Sequence, residues 1–434
     1  MTNIPRTRSP IHVHEHQIVE PLKTASATNT IQRFDTRRTY QDQVDSPTKT
    51  TSFHNSHLQD PSMTSRNMNN YISLSDVALG EVQSECNSVL DSSIRTIDKP
   101  CDKYGFFLDS DEDDDDQVYE SKTPTPQQMK SLREREKKWL QMLNNWKYYI
   151  NFKWEKIRDR CRKGIPHSLR SQAWFYLCGG QIQKRRRPKF YQELLNRDIP
   201  EDIRSDITKD LHRQFPMHEL FADRNGTGQV DLFNVLKAFA VYKPKIGYCQ
   251  AQGPIAAVLL MHMPAEHAFW SLVALNDYYI SGYFVHNLEE IEIHGHMLFA
   301  FIKKYSPSAY SLLKKQNIEP VLYMTEWFMC IYSRNLPWSS VLRVWDMFLC
   351  EGVTILFKVG IYLVDVSLRN ESTKTCPSMY ETCQKLRNIP KKLLEEEQLI
   401  KGIRHIELKD SDLLREHKIQ VKKYRKTRSK LDLK

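Results

Sequence analysis

The chain of 434 residues lacks any framework of paired cysteines. Its nine cysteines are an odd number and none is spaced as CxxC, which argues against a disulfide scaffold. Cys330 and Cys350 sit inside apolar runs and read as reduced, core-forming thiols, so the expectation is a cytoplasmic protein. The first residues contain no apolar stretch of the kind a secretory signal needs. The longest apolar stretch, around Ile255 to Met263, falls far short of the roughly 18 residues of a membrane span. No alternation of period two runs long enough to build a sheet, and no repeat of fixed length appears. Signatures of self-contained catalytic centres are missing too. There is no GxxxxGK[ST] phosphate loop, no HExxH, no GxSxG and no kinase set. The chain therefore carries no nucleotide-binding loop of its own.

What is present is unevenly distributed. The composition, 40% hydrophobic and 27% charged, is ordinary for a protein with a sizeable core. Residues 1–126 carry 12 Lys and Arg against 20 Asp and Glu, a net of −8, whereas the remainder carries a net of +18. Residues 1–126 are rich in Ser, Thr, Asn, Asp and Gln with scattered apolar residues. Such a segment cannot bury enough surface to offset its ordering entropy and is expected to be disordered. It closes with an acidic run, Asp109 to Asp116, that reads as a solvated spacer. Thr123-Pro-Thr-Pro marks the boundary of a domain over 127–405. Leu132, Trp139, Leu143 and Trp146 then fall on one helix face. Successive helices of 8 to 20 residues follow, broken at Gly164-Ile-Pro166, Gly179-Gly180, Asn225 to Gly228, Pro244 to Gly247, Pro264, Pro307 and Leu336-Pro337. The fold class is all-α. A basic tail, 406–434, is expected as a solvated helix fraying into coil, able to meet an anionic membrane.

Three clusters could carry chemistry. Ile203, Ile207 and Leu211 recur every four residues and form a buried helix stripe. Asp206, Asp210 and Arg213 fall on another face, away from the core, with Asp210 and Arg213 three apart and able to pair. That pair reads either as a solvated surface contact or as a carboxylate aiming a guanidinium. Tyr248 and Gln250 precede an apolar helix, where Gln250 either caps the helix or projects into a cleft. Trp338 and Trp345 are seven apart on one face and are expected in the core. Asp346 reads as the partner of buried polar groups, including Arg343.

Two patterns imitate metal sites. Asp223-Arg-Asn225-Gly-Thr-Gly228 opens like a calcium loop with glycine sixth, but its twelfth position is Asn234 rather than a bidentate Glu. His12, His14 and His16 lie in the polar N-terminal segment without a supporting shell. No metal is expected. Lys184-Arg-Arg-Arg187 lacks interleaved aromatics, so nucleic acid is not an expected partner.

Taken together, the clusters resemble the TBC domain of Rab GTPase-activating proteins. Ile207, Asp210 and Arg213 match the family's IxxDxxR motif, and Tyr248 and Gln250 match YxQ. Gly164-Ile165-Pro166 followed by Arg170 and Trp174 matches the family's opening motif. Arg343, Trp345 and Asp346 match the later RxWD. Order and spacing agree over roughly residues 160–370. The segments KDLHRQFPMHELF, GYCQAQGPIAAVLLMHMPAE and EPVLYMTEWFMCIYSRNLPW resemble the tenth-member subgroup of the TBC1 domain proteins.

The resemblance implies a two-lobed, V-shaped helical domain that activates a Rab-family GTPase in its GTP form. It implies Arg213 as an arginine finger, Asp210 orienting it and Ile207 anchoring its helix. Gln250 would position the attacking water, with Tyr248 supporting its loop. GTP and magnesium would belong to the partner, leaving the chain without a cofactor of its own. Subgroup members act on Rabs of exocytosis and endosomal recycling, so the expected setting is cytoplasmic, peripheral on plasma membrane or endosomes, as a monomer. The chain ends in Leu433-Lys434, so no C-terminal PDZ ligand is expected, and Asn234 stands where the family often has a basic residue. The alternative is a catalytically silent Rab-binding scaffold of the same fold.

Overall fold

A computed structural model of the chain describes residues 99–108, 125–285 and 287–431. The stretches expected to be disordered, including the acidic run and the three alternating histidines, lie outside the described residues apart from 99–108 and 125–126. The domain opens on a capping box. Thr125 Oγ1 accepts from the Gln128 backbone N–H, Gln128 Oε1 accepts from the Thr125 N–H, and Pro126 occupies the first helical turn.

The chain then runs through α1 (Pro126–Asn144), α2 (Trp146–Phe152), α3 (Trp154–Arg162), α4 (His167–Leu177) and α5 (Gly180–Arg186). Next come α6 (Phe190–Leu195), α7 (Glu201–Leu211), α8 (Glu219–Ala222), α9 (Thr227–Tyr242), α10 (Gln252–Leu260) and α11 (Ala265–Ala274). A short π-helical turn, Leu275–Tyr279, closes this half. The second half holds α12 (Glu289–Tyr305), α13 (Pro307–Lys315), α14 (Val321–Met329), α15 (Trp338–Glu351) and α16 (Thr354–Leu368). It ends with α17 (Met379–Arg387), α18 (Lys391–Leu394), α19 (Glu396–Arg404) and α20 (Asp410–Leu431). Among the described residues no strand forms. Two isolated antiparallel bridges occur, Cys101 with Phe107 and Phe106 with His218. No described helix is long and apolar enough to cross a membrane.

Two lobes are built around two central helices. In the first, α9 is packed by α6, α7, α10 and α11, with α5 against α11. In the second, α12 is packed by α13, α14, α16 and α20, and α16 carries α17 and α19. Helix α15 joins them, because it lies against α3 and α4 on one side and α16 and α19 on the other. It is apolar on nearly every face (Val341, Leu342, Val344, Trp345, Met347 and Phe348 are all buried), as a helix between two layers must be. Between the lobes lies a cleft of about 810 Å3.

Several expectations need correction. Leu132 is exposed and Trp146 belongs to the next helix, so only Trp139 and Leu143 of that quartet form the buried stripe of α1. Trp345 is fully buried, but Trp338, at the first turn of α15, is only half-buried. Residues 99–108, expected to be disordered, fold back against the domain. The tail expected as a solvated helix fraying into coil is helical from Asp410 to Leu431, but one side of it is buried. Leu413, His417, Gln420, Val421 and Tyr424 form a buried stripe against α12, and the lysines and arginines between Arg415 and Arg428 face outward. The calcium-like glycine has a steric purpose. A Cβ on Gly228 would meet the Leu220 carbonyl oxygen at 1.9 Å, so glycine lets α8 and α9 approach.

Candidate functional site

The expected site residues sort into two clusters, each organised by one carboxylate. The first is Asp210, near the C-terminal end of α7. Ile207 on the same helix is completely buried and pins it. Asp210 itself is 8% exposed, not directed away from the core as the helical wheel implied, whereas Asp206 is on the surface and pairs with Lys209. Helix α7 stops at Leu211, so Arg213 sits in the turn beyond it rather than on the helix face. Its guanidinium forms a charge-assisted bond to Asp210 Oδ1 while its side chain remains 44% exposed.

The other oxygen of Asp210 reaches the second loop. Tyr248 Oη donates to Asp210 Oδ2 at 2.8 Å. Burial first, and then the bond to Asp210, push the Tyr248 phenol well above its ordinary value, so it stays a neutral donor. The Tyr248 loop is fixed at its base. Lys243 Nζ bonds both oxygens of Asp277 in the π-helical turn at 2.8 Å. The loop then turns at Gly247, whose φ of 62° favours glycine. Two residues beyond Tyr248, Gln250 is exposed on the wall of the cleft. It does not cap α10 with its side chain. One buried carboxylate therefore couples the Arg213 turn to the Gln250 loop.

Gln214 was not singled out by the sequence, yet it locks the two loops further. Its side-chain amide donates to the Asp210 carbonyl at 3.0 Å and lies against Gly253, where a Cβ would meet it at 3.1 Å. Next to it, Phe215 has a φ of 45°. Left-handed backbone at an aromatic residue costs about 1–2 kcal/mol and persists only where its surroundings enforce it.

The second carboxylate, Asp346, is fully buried on α15 and gathers Ile165, Arg170 and Trp174. Its Oδ1 accepts from Trp174 Nε1 at 2.7 Å and Arg170 Nε at 3.2 Å, and its Oδ2 accepts from the Ile165 N–H at 2.7 Å. Arg170 also donates to the Ile165 carbonyl at 2.7 Å. Burial raises the Asp346 carboxyl above its ordinary value, and Arg170 works against that rise. Arg343 is not its partner, contrary to the expectation. It bonds Glu396 and the Arg162 carbonyl instead. Its guanidinium crosses Gly164 so closely that a Cβ there would meet Arg343 Nε at 2.6 Å. Gly164 also has a φ of 87°, and Pro166 then starts α4. This cluster fastens α4 to α15.

Across the cleft from Gln250, the turn after α14 is strained at two successive residues, Ile331 and Tyr332, with φ of 51° and 58°. Trp345 Nε1 holds the Ile331 carbonyl at 3.1 Å and Tyr332 Oη donates to the Leu356 carbonyl at 2.8 Å. The turn presents Arg334 and Asn335, both bonded to Glu326, on the cleft wall. The basic run at α5 is partly consumed by the fold. Lys184 pairs with Glu266, and Arg187 bonds Tyr242 Oη. Asp223 Oδ1 accepts from the Asn225 N–H in a local turn, which accounts for the calcium-like spacing without a ligand shell.

Such a domain, with only helices as regular elements among the described residues and with an arginine and a glutamine presented from two coupled loops, has the fold of known GTPase-activating domains. It is similar to the crystal structure of the Chlamydomonas flagellar RabGAP TBC domain, with a TM-score of 0.51 at 21% identity, covering 70% of this chain and 99% of that one. It is also similar to the Ypt/Rab-GAP domain of Gyp1p, with a TM-score of 0.51 at 19% identity, covering 63% of this chain and 96% of that one. At sequence level, residues 167–371 match the Rab-GTPase-TBC domain. The TBC1 domain family member whacked of Drosophila melanogaster is 48% identical over 284 residues, 65% of this chain and 78% of that protein. TBC1 domain family member 10A of Mus musculus is 50% identical over 305 residues, covering 69% of this chain. The chain belongs to the Rab-GTPase-TBC domain family. It spans only 60% of the length of the mouse 10A relative and 41% of mouse member 10B.

Proposed function

We propose that the chain accelerates GTP hydrolysis by a Rab-family small GTPase, with Arg213 and Gln250 acting in trans. The observation that supports this reading best is the Asp210 bridge, which ties the guanidinium of one loop to the loop that carries Gln250. GTP hydrolysis builds charge on the transferring phosphoryl group. A guanidinium inserted from outside compensates that charge and contributes about 10³–10⁵ in rate. Gln250, exposed on the cleft wall, would aim the attacking water. Asp210 holds Arg213 in one orientation before the GTPase arrives, which reduces the ordering cost of insertion. On this reading GTP and magnesium belong to the partner, and the chain acts as a monomer with no cofactor of its own. The outward basic face of α20 suits peripheral contact with anionic membrane on plasma membrane or endosomes.

The test is single-turnover GTP hydrolysis by a panel of Rab GTPases with the wild-type chain, Arg213→Lys and Gln250→Ala. Lysine loses the planar fork, so both variants should abolish the acceleration of whichever Rab responds. Wild-type chain that binds Rabs without accelerating any of them would leave a silent scaffold instead.

A further inference from the structure

The turn that follows Arg213 is strained at Phe215, and what encloses it comes from far away in sequence. Asp102 folds residues 99–108 into a compact loop, with its Oδ1 accepting from the N–H groups of Tyr104 at 2.8 Å and Phe106 at 3.0 Å. This loop pairs with the turn on both sides of His218. The Phe107 N–H donates to the Met217 carbonyl and the Glu219 N–H donates to the Gly105 carbonyl, each at 2.8 Å. His218 is fixed as well. Its Nδ1 accepts from the Leu220 N–H, so Nε2 carries the proton that it donates to the Tyr104 carbonyl at 3.0 Å. The Phe106 ring stands edge-on to His218, Trp338 and Phe215, with centroids at 4.9, 5.1 and 6.3 Å. Phe215 in turn packs on Trp338 at 5.7 Å. Gly105 has a φ of 90°, and a Cβ there would meet His218 and Glu219 at 2.9 Å, so the loop has little freedom to shift.

We infer that Phe106 is a positioning residue for Arg213: the 99–108 loop clamps the turn from Phe215 to Glu219 and so holds the arginine in its inserting orientation. This rests on the assignment of Arg213 as the inserted arginine. The path is short. Phe106 fixes Phe215 and His218, Phe215 follows Gln214, and Gln214 bonds the carbonyl of the carboxylate residue that holds Arg213. Without the ring, the left-handed turn has one fewer enclosing wall and relaxes, moving Arg213 relative to Asp210.

The experiment is single-turnover hydrolysis by a responsive Rab as the concentration of the full chain is varied, for Phe106→Ala, Phe106→Leu and Phe107→Pro. Phe107→Pro removes the N–H that bonds Met217 while residue 106 remains a phenylalanine. The saturating rate should fall about tenfold to a hundredfold for Phe106→Ala and Phe107→Pro, and part of it should return with Phe106→Leu. The half-saturating concentration should stay within about threefold, because the clamp acts on the transition state and not on docking. A saturating rate within about twofold of wild type for a folded Phe106→Ala chain overturns the inference. So does a loss confined to the half-saturating concentration. Should Phe106→Ala fail to fold, Phe106→Leu and Phe107→Pro decide by the same criteria. Arg213→Lys runs alongside: if it keeps full activity, the assignment of Arg213 itself fails, whatever the clamp variants do.

Discussion

Asp210 bonds side chains on two different loops from a nearly buried position, and that makes its two oxygens separable by mutation. Asp210→Asn keeps the shape and removes the charge that orders Arg213. The saturating single-turnover rate should fall about tenfold to a hundredfold. Tyr248→Phe removes only the donor to Oδ2 and leaves an acceptor unfilled, at about 1–3 kcal/mol. Its melting temperature should drop while its rate falls less than that of Asp210→Asn. An equal or larger rate loss for Tyr248→Phe would place the orienting role in Tyr248. Because burial and the Asp210 bond hold the phenol protonated well above its ordinary 10.0, the wild-type rate should show no titration of Tyr248 between pH 7 and 10. The spacing of Asp210 and Arg213 was legible in sequence because three residues apart means adjacent on a helix. The burial of Asp210 was not legible. It depends on Tyr248, 38 positions away, closing over it.

At the scale of elements, the docking of α20 on α12 turns on one buried carboxylate. Glu290 lies between His417 Nε2 at 2.9 Å and His294 Nε2 at 3.2 Å, and His294 Nδ1 lies 2.6 Å from Tyr283 Oη. Burial alone would raise the Glu290 carboxyl, but the hydrogen bonds of His294 and His417 outweigh it and hold it near 2, below its ordinary 4.5. A depressed acid stabilises the fold above its unfolded value. That contribution, on the order of 3 kcal/mol, is present above about pH 4.5 and is lost as pH falls toward 2. Glu290→Gln should therefore melt earlier than wild type at pH 7, and the two should converge between pH 4.5 and 2. A gap that stays constant over that range would show that the ionised Glu290 does not hold α20. The helix order was readable from Pro, Gly and the apolar periods, yet both segments that wrap the domain were misread. In α20 the buried stripe includes His417 and Gln420 among many lysines, so the outward charge masked it. In 99–108 the apolar group Tyr104, Phe106, Phe107 and Leu108 is too short to show a period. Two of its ring partners, His218 and Phe215, lie more than a hundred residues downstream.

For the whole molecule, the charge asymmetry bears on how a partner arrives and not on what happens once it is bound. The region after residue 126 carries a net of +18, and the proposed GTPase partner, holding a nucleotide, would present phosphate to it. Exposed charges steer encounter over about a Debye length, roughly 10 Å at 0.1 M salt, and are screened beyond that. The bonds inside the site are of another kind, since Asp210 is nearly buried and its partners are already in place before docking. The two terms should separate in one titration. Raising salt from about 0.05 to 0.3 M should increase the half-saturating concentration of the chain several-fold by slowing association. The saturating single-turnover rate should change by less than about twofold, because on the proposed mechanism it would report Arg213 and Gln250 after docking. If the saturating rate fell with salt in step with affinity, the Asp210–Arg213 pair would have to form only in the complex. The arginine would then be ordered by the GTPase and not by its own domain.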